Sequence, residues 1–249
     1  MSETEVELER QGNIAILTLN RPTKRNALTR GMSELIIGAC DEIDRDTGIG
    51  ALVIRGAGGS FCAGADLSLL KEVSVDPTHE ENFRMLGTVY QSFARVGSLA
   101  VPVIAAARGV AVGAGLNLML AADVRVVSEN VRLLSGFLAI GIHPGGGHFR
   151  LITRLAGREA AAAMAVCSEE IDGRRAVEIG LAWKALPDDQ VETKAVELAM
   201  RAGKDPALSR FAIRSFRLLS EIPWDVALET ESTAQMWSLR RRSIAWNTS

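Results

Sequence analysis

Apolar residues in the first half of the chain form short continuous runs, and in the second half they recur at helical spacing. Around Gly12 and Asn13, two apolar segments predict a hairpin of two strands within residues 6–19. Continuous apolar runs at 51–54 and 103–107 are typical of parallel strands that are buried on both faces. The pattern therefore predicts a sheet that opens with a hairpin and continues with parallel strands.

Between these runs, apolar positions three and four residues apart predict amphipathic helices. The helices predicted in this part are 29–43, 66–73, 79–96 and 116–122, with a further strand at 123–127 and a glycine-rich loop at 140–147. The helices predicted beyond residue 149 are 151–155, 160–166, 174–179, 191–202, 207–219 and 224–239, interrupted by one strand within 181–186. We therefore expect an α/β core over residues 1–190 and a helical C-terminal region over residues 191–249 that covers part of that core.

Length, composition and charge narrow the class of protein. The 249 residues, 47% hydrophobic and 23% charged, suffice for one large globular domain with a buried core. A formal net charge of −2 offers no basic surface for nucleic acid. No apolar run reaches the roughly 18 residues that a membrane span needs, and the acidic start at residues 1–5 is unlike a signal peptide. We expect a cytoplasmic protein with no membrane span.

The three cysteines carry no recognisable site. Cys40, Cys62 and Cys167 are far apart and lack the CxxC spacing of zinc or redox motifs. We therefore predict no disulfide and no metal site, and expect reduced, mostly buried thiols.

Two stretches rich in glycine and alanine are the strongest chemical signal. The first glycine loop, residues 60–66, follows the apolar run at 51–54; the second glycine loop, residues 109–117, follows the run at 103–107 and opens a helix. Small residues let backbone N–H groups approach a ligand oxygen, and a helix N-terminus adds unpaired donors. The two loops are therefore a candidate site for polarising a carbonyl group.

Several other chemistries lack their motifs. The second glycine loop gives only Gly-x-Gly-x-x-Leu, which falls short of the dinucleotide-binding fingerprint. The chain has no Gly-Lys-Ser/Thr phosphate loop and no Gly-x-Ser-x-Gly nucleophile elbow, so a serine hydrolase is not expected. Nothing in the sequence marks a base for Cys62.

The order and spacing of several short motifs resemble the crotonase superfamily, also called the enoyl-CoA hydratase/isomerase family, over nearly the whole chain. The motifs are LNRP (19–22), RNAL (25–28), FCAGADL (61–67), PVIAA (102–106), GAG (113–115), ADVR (122–125), Gly141 with PGG (144–146), and IGLA (179–182). The resemblance implies a ββα spiral core with a helical C-terminal region and a homotrimer or hexamer in which that region takes part. It also implies an acyl-CoA thioester as substrate or ligand, without a metal or redox cofactor.

The family pattern also assigns roles to residues of this chain. The amides of Ala65 and Ala114 match the oxyanion hole, where two donors stabilise the enolate of a thioester. The residues that match the CoA-binding positions are Arg25, Ala27, Ala63, Gly64, Ala65, Asp66, Leu67 and Gly113. Lys24 is a rival to Arg25 as the cation for a CoA phosphate, and Asp66 has the alternative role of capping the helix that follows it.

Both glutamates of the family's hydratases are replaced in this chain. Asn117 and Phe137 stand at those positions. Adding water to an enoyl thioester needs a group that takes a proton from water and a proton source at the α-carbon. Asparagine cannot accept a proton, and phenylalanine can do neither. We therefore predict that the chain is not an efficient enoyl-CoA hydratase, and that Phe137 belongs to an apolar wall for the acyl group.

Two histidines and one aspartate complete the candidates. His143 lies in the loop that borders the acyl pocket in the family and is a candidate base; the alternative is a loop histidine bonded to the backbone. His148 follows the glycine run and is expected to cap a helix or face solvent. Asp123 is expected to be structural.

Two classes of function stay open on this sequence. In the first, the chain is an enzyme of the family that forms an enolate and transfers a proton, with His143 or an unassigned group as the base. In the second, it is a non-catalytic acyl-CoA binding or carrier protein. The intact glycine loops favour the enzyme.

Overall fold

The computed structural model describes residues 4–219 and 222–247. Residues 1–3 of the acidic start lie outside the described residues. So do residues 220, 221, 248 and 249 of the predicted C-terminal region.

The central element is a six-stranded sheet with the order β1 (Val6–Gln11), β2 (Ile14–Leu19), β3 (Ala51–Gly56), β4 (Val103–Ala107), β6 (Val124–Ser128) and β8 (Lys184–Leu186). Strands β1 and β2 pair antiparallel across Gly12 and Asn13, which confirms the predicted hairpin; the other neighbours are parallel. Strands β5 (Val110–Val112) and β7 (Arg132–Leu134) lie outside this sheet.

Strands β5 and β7 form a separate two-stranded parallel sheet that the sequence did not predict. Each has three residues, and β5 lies inside the second glycine loop, where its apolar residues are too few to show a strand pattern. This small sheet holds the second glycine loop beside the segment after β7.

The helices follow the predicted pattern with some changes of boundary. They are α1 (Arg30–Arg45), α2 (Leu67–Val75), α3 (Glu80–Gly97), α4 (Ala114–Leu120), α5 (His148–Ala165), α6 (Gly173–Glu178), α7 (Val191–Ala202), α8 (Pro206–Leu219) and α9 (Trp224–Asn247). The two helices predicted at 151–155 and 160–166 are the halves of α5, which Gly157 interrupts with a φ of 77°.

Both faces of the parallel strands are covered by helices. Leu52 and Ile54 of β3 belong to the apolar cluster that includes α1 and α3. Val53 between them belongs to a second cluster with Ala195 and Ala199 of α7. Continuous apolar runs occur in these strands because neither face meets water. The structure confirms an α/β core with a helical C-terminal region; the division at residue 190 stays a prediction, since α7 packs directly on the sheet.

Asp123 has the structural role that was predicted for it. Its Oδ2 accepts a hydrogen bond from the backbone N–H of Val103 at 2.8 Å and pairs with Arg217 of α8 at 2.6 Å. The aspartate therefore fixes the start of β4 and anchors a C-terminal helix to it.

The three free cysteines agree with the prediction of mostly buried thiols. Cys40 and Cys62 are buried, but Cys167 is exposed just beyond the end of α5. None of the helices in the described ranges is both long and apolar enough to cross a bilayer.

Candidate active site

A cavity of about 380 Å³ opens between the two glycine loops, helices α2 and α3, and the segment 135–143. Eight of the residues singled out in the sequence line it: Ala63, Gly64, Ala65, Leu67, Gly113, Ala114, Phe137 and His143. The other lining residues are mainly apolar, and no Asp, Glu, Lys or Arg is among those that the structure describes there. The cavity is suited to an uncharged, largely apolar group.

In the peptide group between Gly64 and Ala65, the N–H points away from the neighbouring backbone of Leu28. The carbonyl of Gly64 accepts a hydrogen bond from the N–H of Leu28 at 2.7 Å. Because a trans peptide directs its C=O and N–H in opposite directions, the N–H of Ala65 points away from Leu28. Within residues 4–219 and 222–247 it has no hydrogen-bond acceptor.

The peptide group between Gly113 and Ala114 has the same property. The carbonyl of Gly113 accepts the first helical bond of α4, from the N–H of Asn117 at 3.0 Å. The N–H of Ala114 therefore points out of the helix start, where no carbonyl of the helix can accept it. Two N–H groups thus remain unpaired at the border of one cavity in the described chain.

Short backbone contacts hold the two glycine loops together. The N–H of Cys62 donates to the carbonyl of Val110, and the N–H of Val112 donates to the carbonyl of Cys62, both at 3.0 Å. A Cβ added to Gly115 would lie 2.3 Å from the Cys62 oxygen, so only glycine fits there. A Cβ on Gly64 would lie 3.8 Å from the amide nitrogen of Ala114. The two candidate donors are therefore neighbours.

Five of the eight predicted CoA-binding residues line this cavity, whereas Arg25, Ala27 and Asp66 do not. The N–H of Ala63 donates to the carbonyl of Arg25 at 2.9 Å, and Arg21 reaches both the carbonyl of Ala27 at 2.6 Å and the carboxylate of Asp66 at 3.1 Å. These bonds bring the segment 25–28 and the first glycine loop together; the part of both in CoA binding stays a prediction.

Asp66 acts as the N-cap of α2. Its Oδ1 accepts hydrogen bonds from the Ser68 N–H at 2.9 Å and the Ser68 hydroxyl at 2.7 Å. These bonds, with a smaller contribution from Arg21, hold the pKa of the Asp66 carboxyl below its usual value. Lys24 and Arg25 are both exposed, and neither forms an ion pair within the described ranges, so the structure does not separate these two rivals.

Asn26, which the sequence analysis did not assign a role, positions this edge. It is fully buried, accepts a bond from the Arg21 N–H at 2.8 Å and donates to the carbonyls of Ala57 and Ser60 at 3.0 and 2.7 Å. A left-handed backbone at Arg25 and Asn26 makes the turn possible. Only its place in the RNAL motif pointed to it.

The two residues at the family's glutamate positions lie in different surroundings. Phe137 lines the cavity and forms part of its apolar wall. Asn117 is fully buried, and its side-chain N–H group donates to the carbonyl of Gly145 at 3.1 Å. Its Oδ1 lies 2.7 Å from Nδ1 of His148. Asn117 is thus bonded to the protein rather than directed into the cavity.

The expectation that His148 faces solvent or caps a helix is wrong. Only 1% of the residue is exposed, and its side chain makes no capping bond at the start of α5. Its Nε2 lies 2.7 Å from the Ser135 hydroxyl, and its ring packs 5.0 Å from that of Phe137. The glycine run before α5 turns the first helical residue inward, and burial lowers the pKa of His148 to about 4.

His143 and Cys62 complete the site. Nδ1 of His143 lies 2.8 Å from the carbonyl of Pro144; since a carbonyl can only accept, Nδ1 carries the proton and Nε2 is free of one in the neutral ring. Burial raises the pKa of the Cys62 thiol to about 12, which keeps it protonated. Across the described ranges, no three His, Cys, Asp or Glu side chains are grouped to hold a metal ion.

Comparison with known proteins identifies the family. A family model described as enoyl-CoA hydratase/isomerase matches residues 9–236. The chain therefore belongs to the enoyl-CoA hydratase/isomerase family, as its motifs implied.

Individual relatives agree with this assignment. A Mycobacterium tuberculosis H37Rv protein named "Probable enoyl-CoA hydratase EchA14" is 37% identical over 227 residues, covering 91% of this chain and 86% of that protein. The 2,3-dehydroadipyl-CoA hydratase of Escherichia coli K12 is 32% identical over 229 residues, covering 92% and 88%. The crystal structure of an enoyl-CoA hydratase from Polaromonas sp. JS666 matches with a TM-score of 0.86 at 26% identity, covering 94% and 91%. The crotonase-like fold is thereby confirmed.

Proposed function

We propose that this chain binds an acyl-CoA thioester in the cavity and stabilises its enolate with the amides of Ala65 and Ala114. The proposal is carried by one observation: two N–H groups without partners in the described chain border the same apolar cavity. The oxygen of a thioester gains negative charge when its α-carbon loses a proton. Donors fixed around that oxygen therefore stabilise the enolate more than the bound substrate.

We assign the proton transfer at the α-carbon to His143. Its ring lines the cavity, and the bond from Nδ1 to Pro144 leaves Nε2 as the nitrogen that can accept a proton. A positioned base of this kind contributes roughly 10²–10⁴-fold to a rate.

Hydration of an enoyl thioester is expected to be slow. The names of the relatives point to hydration, but Phe137 cannot exchange a proton, and both polar atoms of the Asn117 amide already have protein partners. Neither can replace the glutamates that activate water in the family's hydratases.

Three further parts of the picture remain proposals. The cation that meets the CoA phosphates is Arg25 or Lys24. The assembly is a homotrimer or hexamer, and the location is the cytoplasm. The alternative to the enzyme is a carrier that binds acyl-CoA in the same place and does not turn it over.

Octanoyl-CoA labelled with ¹³C at the carbonyl tests the proposal. On binding, the amide pair should lower the stretching frequency of the labelled carbonyl in the infrared, and in D₂O the α-hydrogens should exchange for deuterium. Binding with a shifted carbonyl but no exchange is the result that the carrier alternative predicts. If octanoyl-CoA does not bind, or binds with an unshifted carbonyl, the proposal is wrong.

Two matched histidine variants test the base. His143→Gln should slow deuterium exchange by about 100-fold or more while the dissociation constant of octanoyl-CoA changes little. His79→Gln, at an exposed position outside the cavity, is the control and should exchange like the parent chain. Equal exchange in both variants would exclude His143 as the base.

A hydration assay tests the expectation that this chain adds water to an enoyl thioester only slowly. With crotonyl-CoA, the purified chain should turn over far more slowly than a family hydratase that carries both glutamates, measured in parallel. Turnover at the rate of that reference enzyme would show that the missing carboxylates are replaced by groups that we have not assigned.

A further inference from the structure

Three buried polar side chains from separate segments are joined by hydrogen bonds into a triad next to the cavity. Asn117 lies on α4, Ser135 follows β7, and His148 begins α5; they are 0%, 2% and 1% exposed. The Ser135 hydroxyl lies 2.7 Å from Nε2 of His148, and Nδ1 of His148 lies 2.7 Å from Oδ1 of Asn117. The arrangement is that of a hydroxyl, an imidazole and a group that orients the imidazole.

The direction of each hydrogen bond in this triad follows from the bond that the Asn117 amide donates to the protein backbone. The Asn117 amide donates through Nδ2 to the carbonyl of Gly145 at 3.1 Å, so Oδ1 is the atom that faces the imidazole. Oδ1 can only accept, and therefore Nδ1 of His148 carries the proton. Nε2 is then the acceptor, and the Ser135 hydroxyl must donate to it. The proton of Ser135 is already directed at a base.

The protonation state of His148 suits that role. Burial disfavours the imidazolium and lowers the pKa of His148 to about 4, so the ring is neutral and able to accept a proton at pH 7. The same burial makes the imidazolium costly, and asparagine does not neutralise it as a carboxylate would. A reaction through this base is therefore expected to be slow.

Ser135 is the member of the triad that lines the cavity. It lines the cavity together with Gly113 and Ala114. The Gly113 N–H donates to the carbonyl of Leu134 at 3.1 Å, and a Cβ added to Gly113 would lie 3.5 Å from the Ser135 backbone oxygen. The hydroxyl-bearing segment thus runs directly beside the peptide group that supplies one of the two unpaired amides.

We infer that Ser135 is a nucleophile and that the chain hydrolyses acyl-CoA thioesters slowly, with His148 as its base and Asn117 as a positioning residue. This inference rests on the proposed function, because the amides of Ala65 and Ala114 must hold the thioester carbonyl. Neither the names of the relatives nor the family's glutamate chemistry includes this activity.

The reaction proceeds in two balanced steps. In the first, Oγ of Ser135 bonds to the carbonyl carbon while its proton passes to Nε2 of His148; the C–S bond then breaks, and the sulfur leaves with that proton as the CoA thiol. In the second, water gives a proton to Nε2 and its oxygen bonds to the ester carbon. The C–Oγ bond breaks, Oγ recovers the proton, and a carboxylic acid is released.

Octanoyl-CoA is a suitable probe because it has no double bond to hydrate. Released CoA is measured by chromatography, since the exposed thiol of Cys167 would itself consume a thiol reagent. The parent chain should release CoA slowly, and Ser135→Ala should reduce the rate at least about 100-fold. The control is Ser33→Ala, which removes a buried, hydrogen-bonded hydroxyl from α1, away from the cavity, and should release CoA like the parent.

The covalent intermediate supplies a second measurement. After an acid quench, mass spectrometry should find an octanoyl group on the peptide that contains Ser135. Ser135→Cys retains a nucleophile of similar size and should also acquire the octanoyl group, whereas Ser135→Ala should not. A label found only on Cys167, or a rate that Ser135→Ala leaves unchanged, overturns the inference.

Asn117 is tested by its effect on turnover rather than on binding. Asn117→Ala should lower kcat for CoA release by about 10-fold or more with little change in KM, because the imidazole loses its orientation while the cavity keeps its lining. An unchanged kcat in a folded variant would show that the asparagine does not position the base.

The outcomes separate this inference from the proposed function. If octanoyl-CoA binds with a shifted carbonyl but the parent chain releases no CoA above the buffer rate, the hydrolase is excluded and the amide pair stands. If octanoyl-CoA does not bind, both are overturned.

Discussion

The two walls of the cavity are built in different ways. The main-chain wall consists of the peptide groups 64–65 and 113–114, and its candidate donors are backbone amides. The side-chain wall consists of Ser135 and Phe137, with His148 behind them. Any sequence that folds into the same two loops presents the first wall, whereas the second depends on which side chains stand there. The reaction is therefore expected to vary with the second wall while the thioester-binding step stays with the first.

Removing one donor of the main-chain wall should have the largest effect. Ala114→Pro deletes an N–H at the first position of α4, where the helix has no use for it; proline is tolerated at a first helical position, and the preceding Gly113 has no Cβ that the proline ring would meet. We expect deuterium exchange in octanoyl-CoA to slow by about 10²–10³-fold, or about 2.7–4 kcal/mol, with a smaller infrared shift of the carbonyl.

The matched control for this change is Arg30→Pro. It removes the corresponding N–H at the first position of α1, outside the cavity, and its N-cap Thr29 has the extended backbone that a following proline requires. This variant should exchange like the parent. Equal exchange in Ala114→Pro and the parent would mean that the main-chain wall does not hold the carbonyl.

The close approach of the glycine loops offers the next test. Gly115→Ala places a methyl group 2.3 Å from the Cys62 carbonyl oxygen, so the loops must separate, and we expect the free energy of unfolding to fall by about 3 kcal/mol. The control Gly38→Ala adds the same methyl group to α1 where nothing lies within 4 Å, and should raise stability by about 0.5–1 kcal/mol. Urea denaturation of the three chains measures both changes; a similar loss in both variants would contradict the packing argument.

The two glycine loops that form the main-chain wall could be predicted from the sequence because their determinants are local, whereas the choice of the Ala65 and Ala114 amides within them came from the family resemblance. Each glycine loop directly follows a continuous apolar strand, and this order of small residues after a buried strand is visible in a single chain. The same holds for the hairpin at Gly12 and the amphipathic helices, whose periodicity is set by their own solvent boundary. The α/β class followed from these elements, and the crotonase-like spiral core followed from the family resemblance.

The side-chain wall could not be predicted in the same way. Ser135 and His148 are 13 residues apart, and His148 and Asn117 are 31 apart, with no periodicity that links them. Their contact depends on the turn before α5 and on the two-stranded sheet of β5 and β7, both of which are too short or too glycine-rich to show a pattern. The sequence therefore predicts that the histidine after three glycines caps a helix or faces solvent, whereas its surroundings bury it.

Acid should weaken the fold through the side-chain wall. Burial lowers the pKa of His148 to about 4 in the folded chain from an ordinary 6.5. Between these values the unfolded chain binds a proton that the folded chain does not. The contribution of the neutral His148 ring to the free energy of unfolding is therefore complete above about pH 6.5. It is lost as the pH falls towards 4, by up to about 3 kcal/mol in all.

Urea unfolding at pH 7, 5 and 4 measures this dependence. In His148→Gln, the free energy of unfolding should fall less between pH 7 and pH 4 than in the parent chain, because this ring no longer contributes. In His79→Gln, at an exposed site, it should fall as much as in the parent. The same slope in His148→Gln as in the parent chain would show that other groups cause the acid sensitivity.

The smallest expected effect concerns Asp66, which borders the main-chain wall without belonging to it. Asp66→Ala removes the N-cap of α2 and should lower the free energy of unfolding by about 1 kcal/mol, while the dissociation constant of octanoyl-CoA stays within about twofold. The control is Asp172→Ala, which removes a similar cap from α6. Oδ1 of Asp172 accepts a hydrogen bond from the Arg175 N–H at 2.8 Å, and Asp172 does not line the cavity. If Asp66→Ala weakens octanoyl-CoA binding about tenfold and Asp172→Ala does not, Asp66 binds the CoA moiety directly and capping is the lesser of its two roles.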